Sequence, residues 1–194
     1  MPRLGILALQ GDVREHQATV QSLGIEPTLV RTPQQLEEVD ALILPGGEST
    51  AIAHLLVTSG LREPLANRLN EGMAAFGTCA GLIALSAEVL DGRRDQWSFA
   101  MLDVAIRRNG YGRQVASFET PIEVEGLGLV PGVFIRAPRI ERWAPQVELL
   151  AAHDHGDGEH PVLIRQGAVW GCSFHPELTP NSQIHALFLR HAGF

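Results

Sequence analysis

A cysteine between two glycines is the first candidate for chemistry in this 194-residue chain. Cys79 stands two positions after Gly77 and two before Gly81, with an apolar segment before it and a helix-forming segment, residues 80–90, after it. This pattern predicts a nucleophile elbow, in which small neighbours permit a tight, strained turn between strand and helix. The positive end of the helix dipole favours a thiolate. We therefore predict an exposed nucleophile rather than a small buried hydrophobe.

A candidate base and a carboxylate lie near the end of the sequence. His175 and Glu177 are two positions apart, so an extended backbone would place both side chains on one face. Glu177 could then orient the imidazole, and the other ring nitrogen could serve the thiol of Cys79. The alternative is an exposed strand end without a catalytic role. Because Cys79 and His175 are far apart in sequence, they can meet only through the fold.

A glycine-rich turn is the third element. An apolar run ends in Pro45-Gly46-Gly47, and glycines allow backbone N–H groups to approach a ligand closely. The N–H groups of Gly47 and Ala80 are our candidates for an oxyanion hole. The alternative is an ordinary loop from strand to helix, with Glu48 or Ser49 as the cap residue.

The order of predicted elements indicates an α/β fold. Strands are predicted at residues 4–9, 28–30, 41–44 and 73–76, and helices at 13–23, 51–57, 61–69 and 80–90. This alternation is typical of an open, largely parallel sheet with helices on both faces. From Leu102 onward the short apolar stretches predict added mixed or antiparallel strands, at residues 104–106, 122–124, 133–135, 149–152, 162–164 and 169–174. A last helix is expected to begin near Pro180 or Asn181, and residues 1–194 are expected to form a single domain.

Composition excludes several classes of protein. The net charge of −7 and the pI of about 5.6 argue against a nucleic-acid-binding or membrane-binding surface. The sequence has no apolar run of membrane-spanning length and no signal-peptide layout, so we expect a cytoplasmic protein. Its two cysteines are expected to be reduced, with Cys172 in a core strand. The acidic, histidine-rich segment 153–160 is either a metal site or, as its two glycines favour, a hairpin turn.

These residues together resemble the class I, or triad, glutamine amidotransferases. That family has a Gly-x-Cys-x-Gly elbow, a His-x-Glu pair and a Pro-Gly-Gly loop. Within it the chain is most similar to the glutaminase subunits of pyridoxal 5′-phosphate synthase. This narrower resemblance covers nearly the whole chain, and it rests on residues 7–12, 45–50, 108–114 (Arg-Asn-Gly-Tyr-Gly-Arg-Gln), 134–138 (Phe-Ile-Arg-Ala-Pro) and 173–179.

The resemblance implies an activity, a site and a partner. It implies hydrolysis of L-glutamine by a Cys79–His175–Glu177 triad through a glutamyl thioester, with no metal and no cofactor. The ammonia would pass to a barrel-shaped synthase subunit that makes pyridoxal 5′-phosphate. The residues implied to contact glutamine are Gly47, Glu48, Ser49, Arg108, Ile135 and Arg136, and an arginine suits the α-carboxylate of the substrate. Two alternatives stay open at this point, a glutaminase serving a different synthase and a non-catalytic regulatory subunit of the same fold.

Overall fold

The computed structural model describes residues 1–92, 96–110, 117–156 and 158–194. Most of the chain forms a layered α/β arrangement that begins with a buried strand at Leu4. The strands in the described ranges are β1 (Leu4–Leu7), β2 (Thr28–Val30), β3 (Ala41–Leu44), β4 (Ala74–Thr78), β5 (Ser86–Val89), β6 (Leu102–Arg107), β7 (Ser117–Val124), β8 (Gly128–Ile135), β9 (Arg139–Trp143), β10 (Glu148–Asp154), β11 (Glu159–Gln166) and β12 (Val169–Cys172).

The helices have local signals at their ends. Helix α1 ends at a glycine with positive φ, Gly24, and the N–H groups of Gly24 and Ile25 bond back to Gln21 and Val20. Helix α2 begins with a capping box between Thr32 and Gln35. The helices of the described ranges are α1 (Val13–Ser22), α2 (Pro33–Glu37), α3 (Ser49–Thr58), α4 (Arg62–Asn70), α5 (Ala80–Leu85) and α6 (Gln183–His191), with a 3-10 turn at Pro176–Leu178.

The central sheet is mostly parallel. In the described part of the chain its order is β10-β11-β12-β4-β3-β1-β2, with parallel pairing from β12 to β2 and antiparallel pairing at β10, β11 and β12. A smaller sheet, β5-β6-β9, and the hairpin β7-β8 are added to it. The predicted fold class is therefore confirmed, including the added mixed and antiparallel strands.

Alternate residues of the central strands face opposite layers. Leu42 and Leu44 of β3 pack into the core beneath α3, α4 and α5, whereas Ala41 and Ile43 pack into the core beneath α1 and α6. Burial on both faces explains why these strands are apolar runs rather than alternating ones. The predicted placement of helices on both faces is confirmed. In the described ranges no helix combines the length and apolar character needed to cross a membrane.

Register places three loops at one edge of the sheet. Cys172 of β12 pairs with Thr78 of β4, and the N–H of Cys79 donates to the carbonyl of Cys172 over 2.8 Å. Leu44 of β3 pairs with Gly77 of β4. Since these strands are parallel, the segments that follow their carboxyl ends must emerge side by side.

The sequence prediction of one long helix over residues 80–90 is wrong. Helix α5 ends at Leu85, because the hydroxyl of Ser86 donates to the carbonyl of Ile83 over 2.8 Å and the backbone becomes extended. Residues Ser86–Val89 then form β5, which pairs with β6. Strand pairing thus overrides the helix propensity of Ala87 and Glu88. The sequence also missed α2 and β9.

A glycine-to-alanine pair tests how tightly the elbow is packed. A Cβ at Gly81 would lie 2.0 Å from the carbonyl oxygen of Leu44, whereas a Cβ at Gly171 would meet the flexible side-chain ends of Leu82 and Leu102 at 2.6 and 2.9 Å. We expect Gly81→Ala to lower the free energy of unfolding by about 3 kcal/mol or more, the upper end for overpacking. Gly171→Ala should cost less, because side chains move more easily than backbone. Denaturant unfolding of both variants measures this, and equal losses would contradict it.

Candidate active site

Cys79 lies at a strained turn between β4 and α5. Its backbone has φ 48° and ψ −102°, a conformation that a non-glycine residue adopts at a cost. A Cβ on Gly77 would lie 2.5 Å from the carbonyl carbon of Gly81, so the turn needs glycine at both positions for lack of space. The elbow is therefore present. The thiol is less open than predicted, since Cys79 is only 7% exposed, but it lines a pocket.

His175 and Glu177 lie beside the cysteine. The Nδ1 of His175 is 2.8 Å from the Oε1 of Glu177, and the imidazole also hydrogen-bonds the Cys79 side chain. The spacing of the two residues suggested an extended segment, but the structure shows that the segment is not extended. His175 precedes a 3-10 turn that contains Glu177, and this turn brings the two side chains together. The contact is present, although the backbone that produces it differs from the expectation.

A second carboxylate reaches the same imidazole nitrogen. The Oδ2 of Asp12, a residue that lines the pocket, lies 3.2 Å from the Nδ1 of His175. Burial alone would lower the pKa of His175, but its hydrogen bonds to Asp12, Cys79 and Glu177 outweigh burial and raise the pKa to about 12. The ring is therefore an imidazolium at neutral pH, next to the sulfur.

The same three residues form a compact set of possible metal ligands. One donor atom from each of Asp12, His175 and Glu177 lies within 4.8 Å of the other two, the one such cluster found among the described residues. The short contacts within the set join an imidazole nitrogen to two carboxylates, which is the pattern of hydrogen bonds to an imidazolium. This pattern supports proton chemistry, and the absence of a metal stays a prediction.

The Pro45-Gly46-Gly47 turn packs directly on this cluster. A Cβ on Gly46 would lie 2.5 Å from the Cε1 of His175 and 2.7 Å from the Oδ2 of Asp12. The next peptide is also tied down, since the N–H of Glu48 donates to the side-chain oxygen of Gln10 over 2.9 Å. The turn thus sits where it can present backbone N–H groups to a substrate beside Cys79.

Glu48 is also the N-cap of α3. Its carboxylate accepts the N–H groups of Thr50 and Ala51 at 3.0 and 2.7 Å. Partial burial raises the pKa of Glu48, but these bonds and the nearby Arg108 outweigh it, so the pKa is below its usual value. The alternative interpretation of Glu48 as a cap residue is therefore correct. Glu48 also lines the pocket, so the capping role does not exclude contact with a substrate.

One pocket gathers most of the predicted site. Its volume is about 470 Å³, and it is open to solvent. Ala80 and Glu177 are outside the lining set, since Ala80 starts α5 beneath the cysteine and Glu177 lies behind His175. The lining residues are Gln10, Gly11, Asp12, Gly47, Glu48, Ser49, Cys79, Ile83, Arg108, Asn109, Ile135, Arg136, His175 and Leu178.

The two predicted arginines reach the pocket from different elements. Arg108 follows β6, and its backbone N–H donates to Asp91 over 2.8 Å while its Nε lies 4.0 Å from the same carboxylate. Arg136 follows β8 and has a positive φ of 44°. Both residues line the pocket. The rest of the block that begins at Arg108 falls on residues 111–114, outside the described residues.

Sequence reasoning missed Asp12 as a partner of His175. The sequence did contain a feature that indicates a role for Asp12. This residue follows the carboxyl end of β1, at the same edge of the sheet as Cys79. The histidine-rich segment, by contrast, is the hairpin that was favoured. It joins β10 to β11, and the carboxylate of Asp154 accepts the N–H groups of Gly156 and Gly158 at 2.7 and 3.0 Å. Asp157 of that segment lies outside the described residues.

Known proteins are similar to this chain over nearly its whole length. A protein named pyridoxal 5′-phosphate synthase subunit PdxT from Mycolicibacterium vanbaalenii is 50% identical over 97% of this chain and 96% of its own. One of the same name from Nocardia farcinica is 50% identical over 97% of this chain and 84% of its own.

Solved structures agree with this result. A crystal structure described as glutamine amidotransferase superposes with a TM-score of 0.91 at 49% identity, covering 98% of this chain and 99% of the other. A glutamine amidotransferase from Thermotoga maritima, at 14% identity and a TM-score of 0.60 over 99% and 90% of the two chains, shares the fold. The profile of the SNO glutamine amidotransferase family matches residues 6–193, and the chain therefore belongs to that family.

Proposed function

We propose that this chain is a glutaminase, the subunit of a pyridoxal 5′-phosphate synthase that hydrolyses L-glutamine to L-glutamate and ammonia. The observation that carries the proposal is the meeting of Cys79, His175 and Glu177 beside an open pocket. Support also comes from relatives at 50% identity that are named as a subunit of that synthase. The roles of single residues in the reaction belong to the same proposal.

The first half of the reaction breaks the carboxamide C–N bond. Cys79 attacks the carboxamide carbon of glutamine as a thiolate paired with the imidazolium of His175, a C–S bond forms, and the carbonyl oxygen becomes an oxyanion. In this proposal the N–H groups of Gly47 and Ala80 form the oxyanion hole and stabilise this charge. His175 starts as an imidazolium and gives its proton to the departing nitrogen, so that ammonia leaves and a glutamyl thioester remains.

The second half releases glutamate. His175, now neutral, takes a proton from a water molecule, and the resulting hydroxide attacks the thioester carbon. The C–S bond breaks, the thiolate of Cys79 leaves, and the imidazolium is restored. Glu177 contacts neither sulfur nor substrate, and it acts by holding the Nδ1–H of His175 over 2.8 Å. This contact directs the other ring nitrogen to the chemistry.

The remaining pocket residues recognise the amino-acid end of glutamine. Arg108 and Arg136 supply cationic groups whose planar geometry matches the α-carboxylate. Glu48 supplies negative charge for the α-ammonium group from a position fixed by its capping bonds. Gly47, Ser49 and Ile135 complete the contacts with the substrate, the glycine by backbone and the other two by side chain.

The ammonia is delivered to a partner. Ammonia released into water becomes protonated and loses its nucleophilic lone pair, so a biosynthetic glutaminase gains from direct transfer to a synthase. We propose that the partner is the barrel-shaped synthase subunit that builds pyridoxal 5′-phosphate. The reaction needs a free thiol, and both cysteines are free in the structure, so we place the complex in the reducing cytoplasm.

Replacement of the proposed nucleophile tests the assignment. We expect Cys79→Ala to abolish glutamine hydrolysis, because loss of a nucleophile costs on the order of a millionfold in rate. With the synthase subunit present, the variant should also stop glutamine-driven formation of pyridoxal 5′-phosphate but leave ammonium-driven formation running. Steady-state assays of glutamate and product with each nitrogen source measure this.

The matched control is the other free cysteine. Cys172 is fully buried, and burial raises the pKa of its thiol, so it cannot serve as a nucleophile. Cys172→Ala should retain hydrolysis and labelling by a glutamine-analogue electrophile. Hydrolysis by Cys79→Ala near the wild-type rate would disprove the triad, and failure of ammonium to replace glutamine would disprove the division of labour.

A second comparison separates the proton carrier from the residue that orients it. His175→Asn should lower kcat on the order of a millionfold, whereas Glu177→Gln should lower it by no more than about 10⁴-fold. The reason is that the imidazole moves protons in both half-reactions. Rapid-quench or steady-state rates of variants with a wild-type circular dichroism spectrum provide the measurement, and a reversed order would identify a different base.

A further inference from the structure

A pair of buried histidines lies behind the proposed triad. His16 of α1 and His185 of α6 are both fully buried, and the Nδ1 of His16 is 2.9 Å from the Nε2 of His185. The other ring nitrogen of His16, Nε2, is 3.1 Å from the hydroxyl of Thr78 and 3.5 Å from the Oε1 of Glu177. Burial of polar rings is costly unless they are hydrogen-bonded, so this network has to be explained.

The contacts fix where the protons lie. Burial and the neighbouring His16 lower the pKa of His185 to about 3, so this ring is neutral at pH 7 and carries one proton. Its Nδ1 has no partner among the described residues. If the proton of His185 is on Nε2, the unpartnered Nδ1 carries only a lone pair. A buried lone pair without a donor costs less than a buried N–H without an acceptor.

It follows that the Nε2 of His16 carries a hydrogen. With the Nε2–H of His185 donating to the Nδ1 of His16, a neutral His16 must hold its own proton on Nε2, facing Glu177 and Thr78. A doubly protonated His16 would hold a proton there as well. The opposite arrangement would point a bare lone pair at the buried carboxylate.

We propose that His16 is a positioning residue for the triad, whose Nε2–H holds the carboxylate of Glu177 in the place where it meets His175. This inference rests on the proposed function. The Oε2 of Glu177 has no partner among the described residues, so Oε1 makes both of the contacts that orient the carboxylate. The same N–H contacts Thr78, which directly precedes Cys79, so one ring ties the carboxylate to the strand that bears the nucleophile.

The need for such a residue comes from Asp12. Asp12 and Glu177 both approach the Nδ1 of His175, at 3.2 and 2.8 Å, so the two carboxylates compete for a single N–H. Asp12 lies at the pocket and Glu177 is buried. A Glu177 released from His16 would lose this competition more often, and the imidazole would turn towards Asp12 and away from its alignment with the sulfur of Cys79.

Electrostatics around Glu177 point in the same direction. Burial raises the pKa of this carboxyl, but His16 and His175 outweigh burial and hold the pKa well below its usual value. The other titratable groups that interact with these residues are the thiols of Cys79 and Cys172, the carboxylate of Asp12 and the ring of His185. Removal of His16 should therefore let Glu177 take up a proton at a higher pH, and the acid side of the rate profile should move up in pH.

The test compares two replacements of His16 in the full-length chain. His16→Leu removes both ring nitrogens, whereas His16→Gln keeps an N–H donor at about the reach of Nε2. We expect His16→Leu to lower kcat by about 10- to 100-fold, the usual effect of removing a residue that orients a ligating or catalytic group. KM for glutamine should stay unchanged, since His16 does not line the pocket. His16→Gln should recover most of the loss, and the acid limb should shift only in His16→Leu.

His185→Phe keeps the experiment decisive if His16→Leu fails to fold. His185 packs edge-on against Phe76, with ring centroids 5.7 Å apart, so a phenyl ring suits the space. It removes the hydrogen bond to His16 and should lower kcat in the same direction, by a smaller factor. Wild-type kcat and pH profile in His16→Leu and His185→Phe, or equal losses in His16→Leu and His16→Gln, would overturn the inference. A wild-type chain that hydrolyses no glutamine even with the synthase subunit present would instead overturn the proposed function.

Discussion

The close approach of β3, β4 and α5 is the constraint on which the site depends. Only because Gly81 lacks a Cβ can α5 come within contact of the carbonyl of Leu44, and only because Gly77 lacks one can the chain reverse directly into the helix. Cys79 is left between them in a backbone conformation that non-glycine residues avoid. The strain is sustained by the buried apolar layers on both sides of the sheet. The nucleophile is thus held at a tightly packed turn between a strand and a helix rather than by an exposed loop.

Behind this rigid turn lies a chain of polar groups in an apolar layer. Glu177 is 5% exposed and His16 and His185 are fully buried, beside Phe76 and Phe188. A buried carboxylate is tolerated where donors reach it, and here the Oε1 of Glu177 is contacted by His16 of α1 and by His175, two rings that are far apart in sequence. This arrangement links the docking of α1 and α6 on the sheet to the geometry of the site. A displacement of either helix is therefore expected to change the position of His175, although no residue of α1 or α6 lines the pocket.

The amino-acid sequence predicted the strands of the parallel sheet and the elbow, because each depends on local pattern. The predicted glutamine-contacting residues came instead from the family resemblance, and Asp12 was not among them. The apolar run and glycine spacing around Cys79 are readable without the fold. By contrast, the end of α5 at Ser86 depends on pairing with β6, and the contact of Asp12 with His175 depends on the register of separate strands. His16 and His185 resemble ordinary helix residues until the helices are docked. What the sequence could not supply were contacts that only tertiary structure creates.

Lack of space for a side chain, rather than flexibility, explains the glycines where the Pro45-Gly46-Gly47 turn meets the turn after β1. A Cβ on Gly11 would lie 1.8 Å from the carbonyl oxygen of Gly46, and one on Gly46 would strike His175. The turns that follow β1 and β3 therefore touch backbone to backbone at the carboxyl edge of the sheet, and the second of them packs on the ring of His175. Gln10 then fastens the turn by accepting the N–H of Glu48. The proposed nucleophile, base and oxyanion donors belong to one packed unit, so a shift of any one strand must change all three, and the site can be adjusted only as a whole.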